Sequence, residues 1–365
     1  MNTCHQPTEA GLDSFRIAKI TFARPDDWHV HVRDGSLLKA LLPHTARQFG
    51  RAIIMPNLKP PVITTAQAES YRQRILDARP TQGPGTTFEP LMTLYLTDNT
   101  SSDEILRAHK SGFVYGVKLY PAGTTTNSDA GVTDIRHCTA ALEAMQQTNL
   151  PLLVHGEVMD PLIDVFDREE VFIDRVLEPL RRDFPGLRVV FEHITTRSAI
   201  AYVRDADAAP GMLGATITAH HLLLNRNAML VGGIQPHYYC LPVFKREAHR
   251  VALVEAAISG HPRFFLGTDS APHPKNLKEN QCGCAGCYTA LNALELYAQV
   301  FEEAGALNRL EGFASFFGPD FYGLPRSTDT VTLERSSWTL PEDIEASGVN
   351  VVVFKISKAL SWKLC

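Results

Sequence analysis

The chain has 365 residues and a formal net charge of -5, with 44% hydrophobic and 21% charged residues. This composition is typical of a globular protein, and the mild negative charge argues against nucleic acid or an anionic membrane as a partner. Residues 1–15 are polar, and no apolar run approaches the roughly 20 residues of a membrane span. We therefore expect a cytoplasmic protein without a membrane anchor.

Short apolar strands alternate with helical patterns along the chain. The predicted strands are residues 24–32, 51–55, 88–96, 114–119, 150–155, 187–193, 212–218 and 263–268. The predicted helices are residues 36–49, 65–78, 102–111, 133–148, 168–184, 196–204, 245–259, 289–304 and 306–317. Eight strands alternating with helices predict an α/β fold of the (β/α)8 TIM barrel type.

The strands are rich in Val, Ile, Leu and Phe, as buried parallel strands are. The alternative fold is a doubly wound open sheet, which usually carries a Gly-rich phosphate loop after its first strand. Here Asp34-Gly-Ser follows instead, so the barrel is favoured. We expect one domain over residues 1–365, with the barrel at about 17–321. The segment 325–365, strand-like at 351–355, either covers the barrel or extends the predicted strand 15–22.

The seven cysteines do not predict a disulfide framework, because their number is odd and no secretory signal precedes them. The string Cys-Gly-Cys-Ala-Gly-Cys at residues 282–287 is like a zinc knuckle. A closed structural zinc site needs four ligands, usually as two separated pairs, and the chain has no second Cys pair. A Gly-rich loop with free thiols is the favoured interpretation.

His29 and His31 stand two residues apart in a predicted strand. Residues at that spacing point to the same side of a strand, so both imidazoles can face one metal ion. Arg33 continues the same side and is placed to hold an anion beside the metal. The alternative is a pair of half-buried strand histidines without a ligand.

Polar residues also stand at the ends of later strands, where TIM barrels carry their chemistry. They are Asn57, Lys118, His155, Glu157, Glu192, His193, Asp269 and His273. Four histidines and one aspartate suit a divalent metal such as zinc, and suffice for two ions if a further group bridges them. A lysine ammonium cannot bind a cation, but a lysine that has added CO2 is an anion with two oxygens and can bridge.

Each of these residues also has a structural interpretation. Lys118 could pair with a buried glutamate, Asp269 could cap the following helix, and His155 and His193 could be core histidines. We expect Glu157 and Glu192 to support the site and not to bind metal. We interpret three further histidines as loop residues after the seventh strand, with the alternative that one of them contacts substrate or metal: His220, His221 and His237.

Ten short strings together carry a resemblance to a known family. They are residues 27–34, 54–57, 116–122, 125–127, 153–157, 191–193, 225–227, 239–242, 266–273 and 282–287. With them the chain resembles the shorter, bacterial type of the dihydroorotase family, within the amidohydrolase superfamily. The resemblance covers about residues 17–321.

The resemblance implies a site with two zinc ions. His29, His31 and Asp269 would bind the more buried ion, and His155 and His193 the second. Lys118, as N6-carboxylysine, and a hydroxide would bridge both ions.

The resemblance also implies how the substrate is held. The side chains of Arg33, Asn57 and His273 would bind its carboxylate, and backbone groups of Leu241 and Ala285 would contact the ring amide. Two threonines would close a loop over the site: Thr125 and Thr126. In that loop, Gly123 replaces an expected bulkier polar residue, which bears on loop stiffness and not on the chemistry.

The implied activity is the reversible ring closure of N-carbamoyl-L-aspartate to L-dihydroorotate in pyrimidine synthesis, with Asp269 moving the proton. The implied enzyme is a hydrolase acting on a cyclic amide and assembling as a homodimer. One alternative is a hydantoinase or dihydropyrimidinase, but Arg33 and Asn57 favour a substrate that bears an acidic group. Another is a non-catalytic barrel that serves as a binding scaffold, but the complete set of metal ligands argues against it.

Overall fold

The structure is a computed structural model that describes residues 17–281, 283–346 and 348–365. Its first strand, β1 (Lys19–Ala23), precedes eight parallel strands that form one sheet in chain order. These are β2 (Asp27–Val30), β3 (Arg51–Ile54), β4 (Glu89–Tyr95), β5 (Val114–Leu119), β6 (Leu152–Val154), β7 (Val189–Phe191), β8 (Leu213–Ile217) and β9 (Phe264–Leu266). Each of these eight strands lies within the bounds of a predicted strand.

The ends of this sheet come together and nearly close it into a barrel. Val30, at the end of β2, makes a parallel bridge to Ser270, just after β9. The Asp269 amide also donates to the His29 carbonyl at 2.8 Å. The predicted (β/α)8 barrel is therefore confirmed, and the open doubly wound sheet was the wrong alternative.

The described α-helices are α1 (Gly35–Ala46), α2 (Thr65–Asp77), α3 (Ser102–Ser111), α4 (Thr139–Thr148), α5 (Arg168–Phe172), α6 (Glu178–Asp183), α7 (Arg197–Asp205), α8 (Ala219–Leu223), α9 (Asn227–Leu230), α10 (Glu247–Ile258), α11 (Lys275–Lys278), α12 (Ala293–Glu303) and α13 (Phe317–Tyr322). Helices α1–α10 lie between successive barrel strands, and α11–α13 follow the last barrel strand. The predicted helix 168–184 is interrupted by a π-helical turn at Ile173–Leu177. The segment 133–148 begins as a 3-10 turn at Ile135–Cys138, because Asp134 accepts the Arg136 amide.

Local sequence explains where the regular helices begin and end. Before α3, the Ser101 hydroxyl accepts the Glu104 amide at 3.2 Å, which satisfies one of the free N–H groups of the first turn. The acidic Asp103 and Glu104 also suit the positive end of the helix dipole. Gly112 ends α3 with φ of +71°, a left-handed conformation that costs glycine little.

The C-terminal segment adds strands outside the barrel. They are β10 (Thr330–Trp338), β11 (Asp343–Ala346), β12 (Val349–Val352) and β13 (Leu360–Leu364). β10 pairs antiparallel with both β1 and β13, and β11 pairs with β12. β13 also lies on α12, where Glu295 accepts the Leu364 amide at 3.1 Å. The segment thus extends the first strand and covers a barrel helix; Phe15 and Arg16 lie outside the described residues.

A second, smaller apolar cluster supports the barrel strands beside α13. Trp28 of β2 is fully buried, stacks on Tyr322 at 4.5 Å and meets the edge of Phe265 in β9. Phe321 contacts Phe265 as well. This packing fixes the strand that carries the two histidines.

Within the described ranges, no helix is long and apolar enough to cross a membrane.

Candidate active site

His29 and His31 converge on one carboxylate at the C-terminal edge of the barrel. The Nε2 atom of His29 lies 3.4 Å from Oδ1 of Asp269, and the Nε2 atom of His31 lies 3.1 Å from the same oxygen. All three side chains are almost completely buried. Burial works to raise the pKa of Asp269, but contacts with the histidines outweigh it and hold that pKa well below its usual range. The carboxyl group is therefore ionised.

The other ring nitrogen of each histidine faces an acceptor, which sets its tautomer. Nδ1 of His31 lies 2.8 Å from Oδ1 of Asn57, whose own amide donates to the Thr126 carbonyl. Nδ1 of His29 lies 3.0 Å from Oε2 of Glu192, within reach although not well aligned. With Nδ1 protonated, each Nε2 faces Asp269 either as a hydrogen-bond donor, when the ring is charged, or as a metal ligand, when the ring is neutral. Because two ring nitrogens converge on one carboxylate oxygen, the geometry fits a metal ion that would take the place of the Nε2 protons.

His155 and His193 continue the cluster from the next strand ends. The His193 ring centroid lies 4.7 Å from that of His155 and 5.0 Å from that of His29. Nε2 of His155 lies 2.8 Å from Glu157, which leaves Nδ1 as its free ligand atom. Nδ1 of His193 is buried and has no hydrogen-bond partner among the described residues. Burial lowers the pKa of both rings, so both are neutral and able to bind metal.

Lys118 lies in β5, fully buried beside these groups. Its Nζ has no hydrogen-bond partner in the described part of the chain and lies 5.0 Å from the Tyr120 ring centroid. Burial lowers the pKa of Lys118 to about 8, because the low-dielectric surroundings disfavour the ammonium. In the described part of the chain Lys118 forms no ion pair with a glutamate, although the charge of Glu192 works to raise its pKa. The neutral, deprotonated amine is the form that reacts with CO2.

Backbone strain concentrates at this cluster. Arg33, His193 and Asp269 have φ values of +59°, +40° and +45°, in the left-handed region that residues other than glycine rarely adopt. Each costs of order 1–3 kcal/mol and persists only where the surroundings enforce it. His193 is fixed by its amide, which donates to the Thr216 hydroxyl at 2.7 Å. Strain of this kind is typical of functional sites.

Arg33 and His273 form a cationic wall beside the cluster. Nε of Arg33 donates to the Pro272 carbonyl at 2.8 Å, and an Nη2 hydrogen points to Nε2 of His273 at the same distance. Burial and the guanidinium charge lower the pKa of His273 to about 2, so this ring is neutral and accepts from Arg33. Because Nε2 accepts from Arg33, it does not donate a hydrogen bond to the Ala285 carbonyl, which lies 3.0 Å away. Three N–H groups of Arg33 are left for a ligand.

The loop after β5 is docked over the cluster. The Thr126 hydroxyl accepts the Ala285 amide at 3.1 Å, and the Thr126 carbonyl accepts from Asn57. Gly123 sits in this loop with φ of +82°, and its amide donates to the Ser128 carbonyl. Glycine therefore suits this turn, and the expected effect of Gly123 on loop stiffness stays a prediction.

The structure brings most of the predicted residues to one pocket. Its lining comprises His29, His31, Arg33, Asn57, Tyr120, Thr125, Thr126, His155, His193, Leu241, Asp269, Ala271, Ala285 and Gly286. Lys118 and His273 lie just behind this lining. Sequence reasoning missed Tyr120, although it follows Lys118 at the two-residue spacing of one strand face. A larger, open cleft between α4 and α6 contains none of the predicted ligands, so size does not locate the chemistry.

Two of the three remaining histidines are not loop residues. His220 and His221 lie in α8, directly after β8, and both are buried. A threonine cap explains the helix, because the Thr218 hydroxyl accepts the His221 amide. His237 lies in a 3-10 turn, Pro236–Tyr238, and contacts Glu279. None of the three lines the catalytic pocket.

An eight-stranded barrel that gathers imidazoles, a carboxylate and a buried lysine at its C-terminal edge defines a metal-dependent hydrolase of the amidohydrolase type. The Amidohydrolase family model matches residues 21–333, and the chain belongs to that family. The dihydroorotase of Ralstonia nicotianae is 67% identical over 347 residues, covering 95% of this chain and 99% of the relative. Within the amidohydrolases, the chain therefore belongs to the dihydroorotases.

Solved structures agree with this placement. The dihydroorotase of Saccharomyces cerevisiae, in complex with 5-fluoroorotic acid, has a TM-score of 0.87 at 36% identity, covering 96% of this chain and 99% of that one. The dihydroorotase of Campylobacter jejuni has a TM-score of 0.85 at 36% identity, covering 96% and 98%. An L-hydantoinase from Arthrobacter aurescens shares 16% identity, with a TM-score of 0.74 over 89% and 78%. That likeness shows the fold alone.

Proposed function

We propose that this protein is a zinc-dependent dihydroorotase, a hydrolase that interconverts N-carbamoyl-L-aspartate and L-dihydroorotate in de novo pyrimidine synthesis. The observation that carries the proposal is the convergence of His29, His31 and Asp269 in a buried pocket that an arginine guanidinium also lines. A metal cluster next to a fixed cation suits a cyclic amide that bears a carboxylate.

The chain offers a ligand set for two metal ions. His29, His31 and Asp269 would hold one ion, and His155 and His193 the other. Carboxylated Lys118 would bridge them, for which its buried, unpaired amine is the supporting observation. When bound, the metals activate water near neutral pH and polarise the amide carbonyl.

Arg33 would bind the substrate carboxylate. Its guanidinium uses two N–H groups on Pro272 and His273, which hold the planar fork in place, and three remain for the anion. Asn57 has one N–H left after bonding Thr126, and adds a neutral donor. Neutral His273 supports the arginine without adding a second charge.

Asp269 would move the proton. Its carboxylate is ionised, lies among the ligands, and lines the pocket. In ring opening it accepts a proton from the attacking water and delivers it to the leaving amide nitrogen. In ring closure it takes the proton from the carbamoyl nitrogen.

The docked loop would exclude water during the reaction. Thr126 reaches across the pocket to the Ala285 amide and ties the loop to the opposite wall. Substrate entry requires this contact to open. With substrate bound, the loop would close again, with Thr125 and Thr126 facing the substrate. The Ala285 amide and the Leu241 backbone would then be available to the ring amide. We propose a cytoplasmic homodimer, for which sedimentation velocity of the purified protein tests the subunit number.

The test joins metal content to activity on defined substrates. We expect about two zinc ions per chain and chelator-sensitive hydrolysis of dihydroorotate, followed by absorbance, with little hydrolysis of dihydrouracil. His193→Ala should lose metal and turnover, whereas His109→Ala, on the exposed face of α3, should lose neither. Metal without dihydroorotate turnover would point to another cyclic amide. A protein with neither metal nor turnover would refute the proposal and favour a binding scaffold.

A further inference from the structure

A second cluster of soft ligand atoms lies outside the catalytic pocket. His220, Cys240 and Cys287 each contribute one ligand atom, and these three atoms lie within 4.8 Å of one another. His220 comes from α8, Cys240 from the loop before α10, and Cys287 from the loop after α11. Each residue is at most 1% exposed. Three distant segments of the chain thus meet at one buried point.

His220 is the residue that points to a ligand. Neither of its ring nitrogens has a hydrogen-bond partner among the described residues, although the side chain is fully buried. The ring centroids of Phe244 and Phe354 each lie 6.0 Å from that of His220, and these side chains offer no polar atom. Burial lowers the pKa of His220 to about 4, so the ring is neutral and keeps a free lone pair. An unpaired buried polar group of this kind destabilises the folded chain, and a bound ion would remove that cost.

The neighbouring histidine shows what a satisfied ring looks like here. Nδ1 of His221 lies 2.8 Å from the Thr218 hydroxyl, and Nε2 lies 2.9 Å from the Pro242 carbonyl. Because a carbonyl only accepts, Nε2 carries the proton and has no lone pair to give. His221 is therefore no ligand, although Nε2 lies 3.7 Å from Sγ of Cys240. The donor set is two thiols and one imidazole.

We propose that His220, Cys240 and Cys287 form a binding site for monovalent copper, separate from the catalytic metals. Thiolates select soft ions such as Cu(I). A closed structural zinc site needs four ligands, and the described residues supply three to this cluster. On binding, each thiol releases its proton to solvent, one N–Cu and two S–Cu bonds form, and the copper stays monovalent. Cys284 is not part of the cluster, and Cys282 lies outside the described residues.

The charge around the cluster fits this ion. Two thiolates and one Cu(I) carry a net charge of -1. The largely buried ammonium of Lys278 stands next to both cysteine segments and donates to the carbonyls of Tyr239 at 2.9 Å and Gly286 at 2.6 Å. Its hydrogen bonds in the described ranges all go to backbone oxygens, so its charge is free to balance the complex.

Copper at this point would join two walls of the catalytic pocket. Leu241 follows Cys240, Ala285 precedes Cys287 by two residues, and both line the pocket. Among the described residues, a backbone hydrogen bond from the Gly286 amide to the Tyr239 carbonyl at 3.0 Å already links the two segments. An ion that binds only the folded chain raises its thermal stability.

The experiment titrates the zinc-loaded protein with Cu(I) under anaerobic conditions, against a chromophoric Cu(I) chelator. We expect one tightly held Cu(I) per chain and a rise in melting temperature. Cys240→Ser and Cys287→Ser should each weaken retention by about 100-fold or more. His220→Phe, which keeps an aromatic ring but removes the lone pair, should also weaken it. The matched control is Cys284→Ser, which changes a half-buried thiol of the same loop and should retain copper.

X-ray absorption of the copper-loaded wild-type protein tests the site without any substitution. Two sulfur and one nitrogen ligands are expected. Sulfur-only coordination, equal loss of copper in Cys284→Ser, or tight binding of zinc in place of copper at the cluster would overturn the proposal. If a serine variant fails to fold, copper retention by His220→Phe and the X-ray absorption spectrum of the wild type still test the proposal. None of these outcomes depends on dihydroorotate turnover, so this proposal and the proposed function fail separately.

Discussion

Replacing Arg33 with methionine tests whether the enzyme recognises the carboxylate of its substrate. The guanidinium is held by Pro272 and His273 and keeps three N–H groups for a ligand. A hydrogen bond to a charged group contributes about 1.5–3 kcal/mol, and a neutral one about 1 kcal/mol. In the wild type, two guanidinium N–H groups would donate to the two oxygens of the substrate carboxylate. Their loss should reduce transition-state binding by about 3 kcal/mol, which is roughly 150-fold in kcat/KM.

The matched substrate is the carboxamide of dihydroorotate, which keeps the ring but lacks the anion. Its kcat/KM should fall only about tenfold in Arg33→Met, because one hydrogen bond from the guanidinium to a neutral oxygen is lost, at about 1.5 kcal/mol, and no ion pair. Arg33→Lys keeps the charge without the fork, and should lie between the wild type and Arg33→Met. Equal losses on both substrates would refute the assignment.

A control for folding is needed because Arg33 also supports the backbone. Its removal leaves the Pro272 carbonyl without its donor, which costs about 1–2 kcal/mol of stability. Urea unfolding measures this loss, and the kinetics should be taken far below the unfolding midpoint.

Three further predictions concern the metal site and the barrel. Asp269→Asn should retain substrate binding but lose about 10²–10⁴-fold in kcat, because the proton acceptor is gone; near-normal kcat would remove that role. Since burial lowers the pKa of Lys118 to about 8, its neutral fraction falls as pH falls below that value. At constant dissolved CO2, reactivation of apo-protein by zinc should therefore slow about tenfold between pH 7 and 6, and a flat profile would contradict this. Gly318→Ala should destabilise the fold by about 1–3 kcal/mol in urea unfolding, since the added methyl overlaps the buried Trp28 indole. Gly50→Ala, with room for a methyl, is the control and should cost less.

Local pattern predicted the barrel and the histidine, arginine, asparagine and aspartate residues of the pocket. The family resemblance supplied Thr125, Thr126, Leu241 and Ala285. Eight apolar strands separated by helical segments restrict the topology, and parallel strands place their C-terminal ends at one edge. The two-residue spacing of His29 and His31 then puts both rings on one side. His155, His193 and Asp269 follow later strands in the same way, so the structure collects them in one pocket.

Contacts between distant segments were beyond the sequence. The pairing of Glu192 with His29 depends on how strands of a closed barrel face one another across its interior. The burial of His220 depends on Phe244 and Phe354, which arrive from two later parts of the chain. A histidine after a strand carries no local sign of such surroundings, and the loop prediction for it was wrong.

Strand and helix order, histidine spacing and the residue types at the strand ends can all be read from the amino-acid sequence. These depend on periodicity and on side-chain chemistry, which are local properties. The folded chain is needed to see which ring nitrogen faces an acceptor, which amine is desolvated, and that Cys240 and Cys287 meet at His220. Those properties depend on the distance and dielectric between groups far apart in the chain, and packing alone sets both.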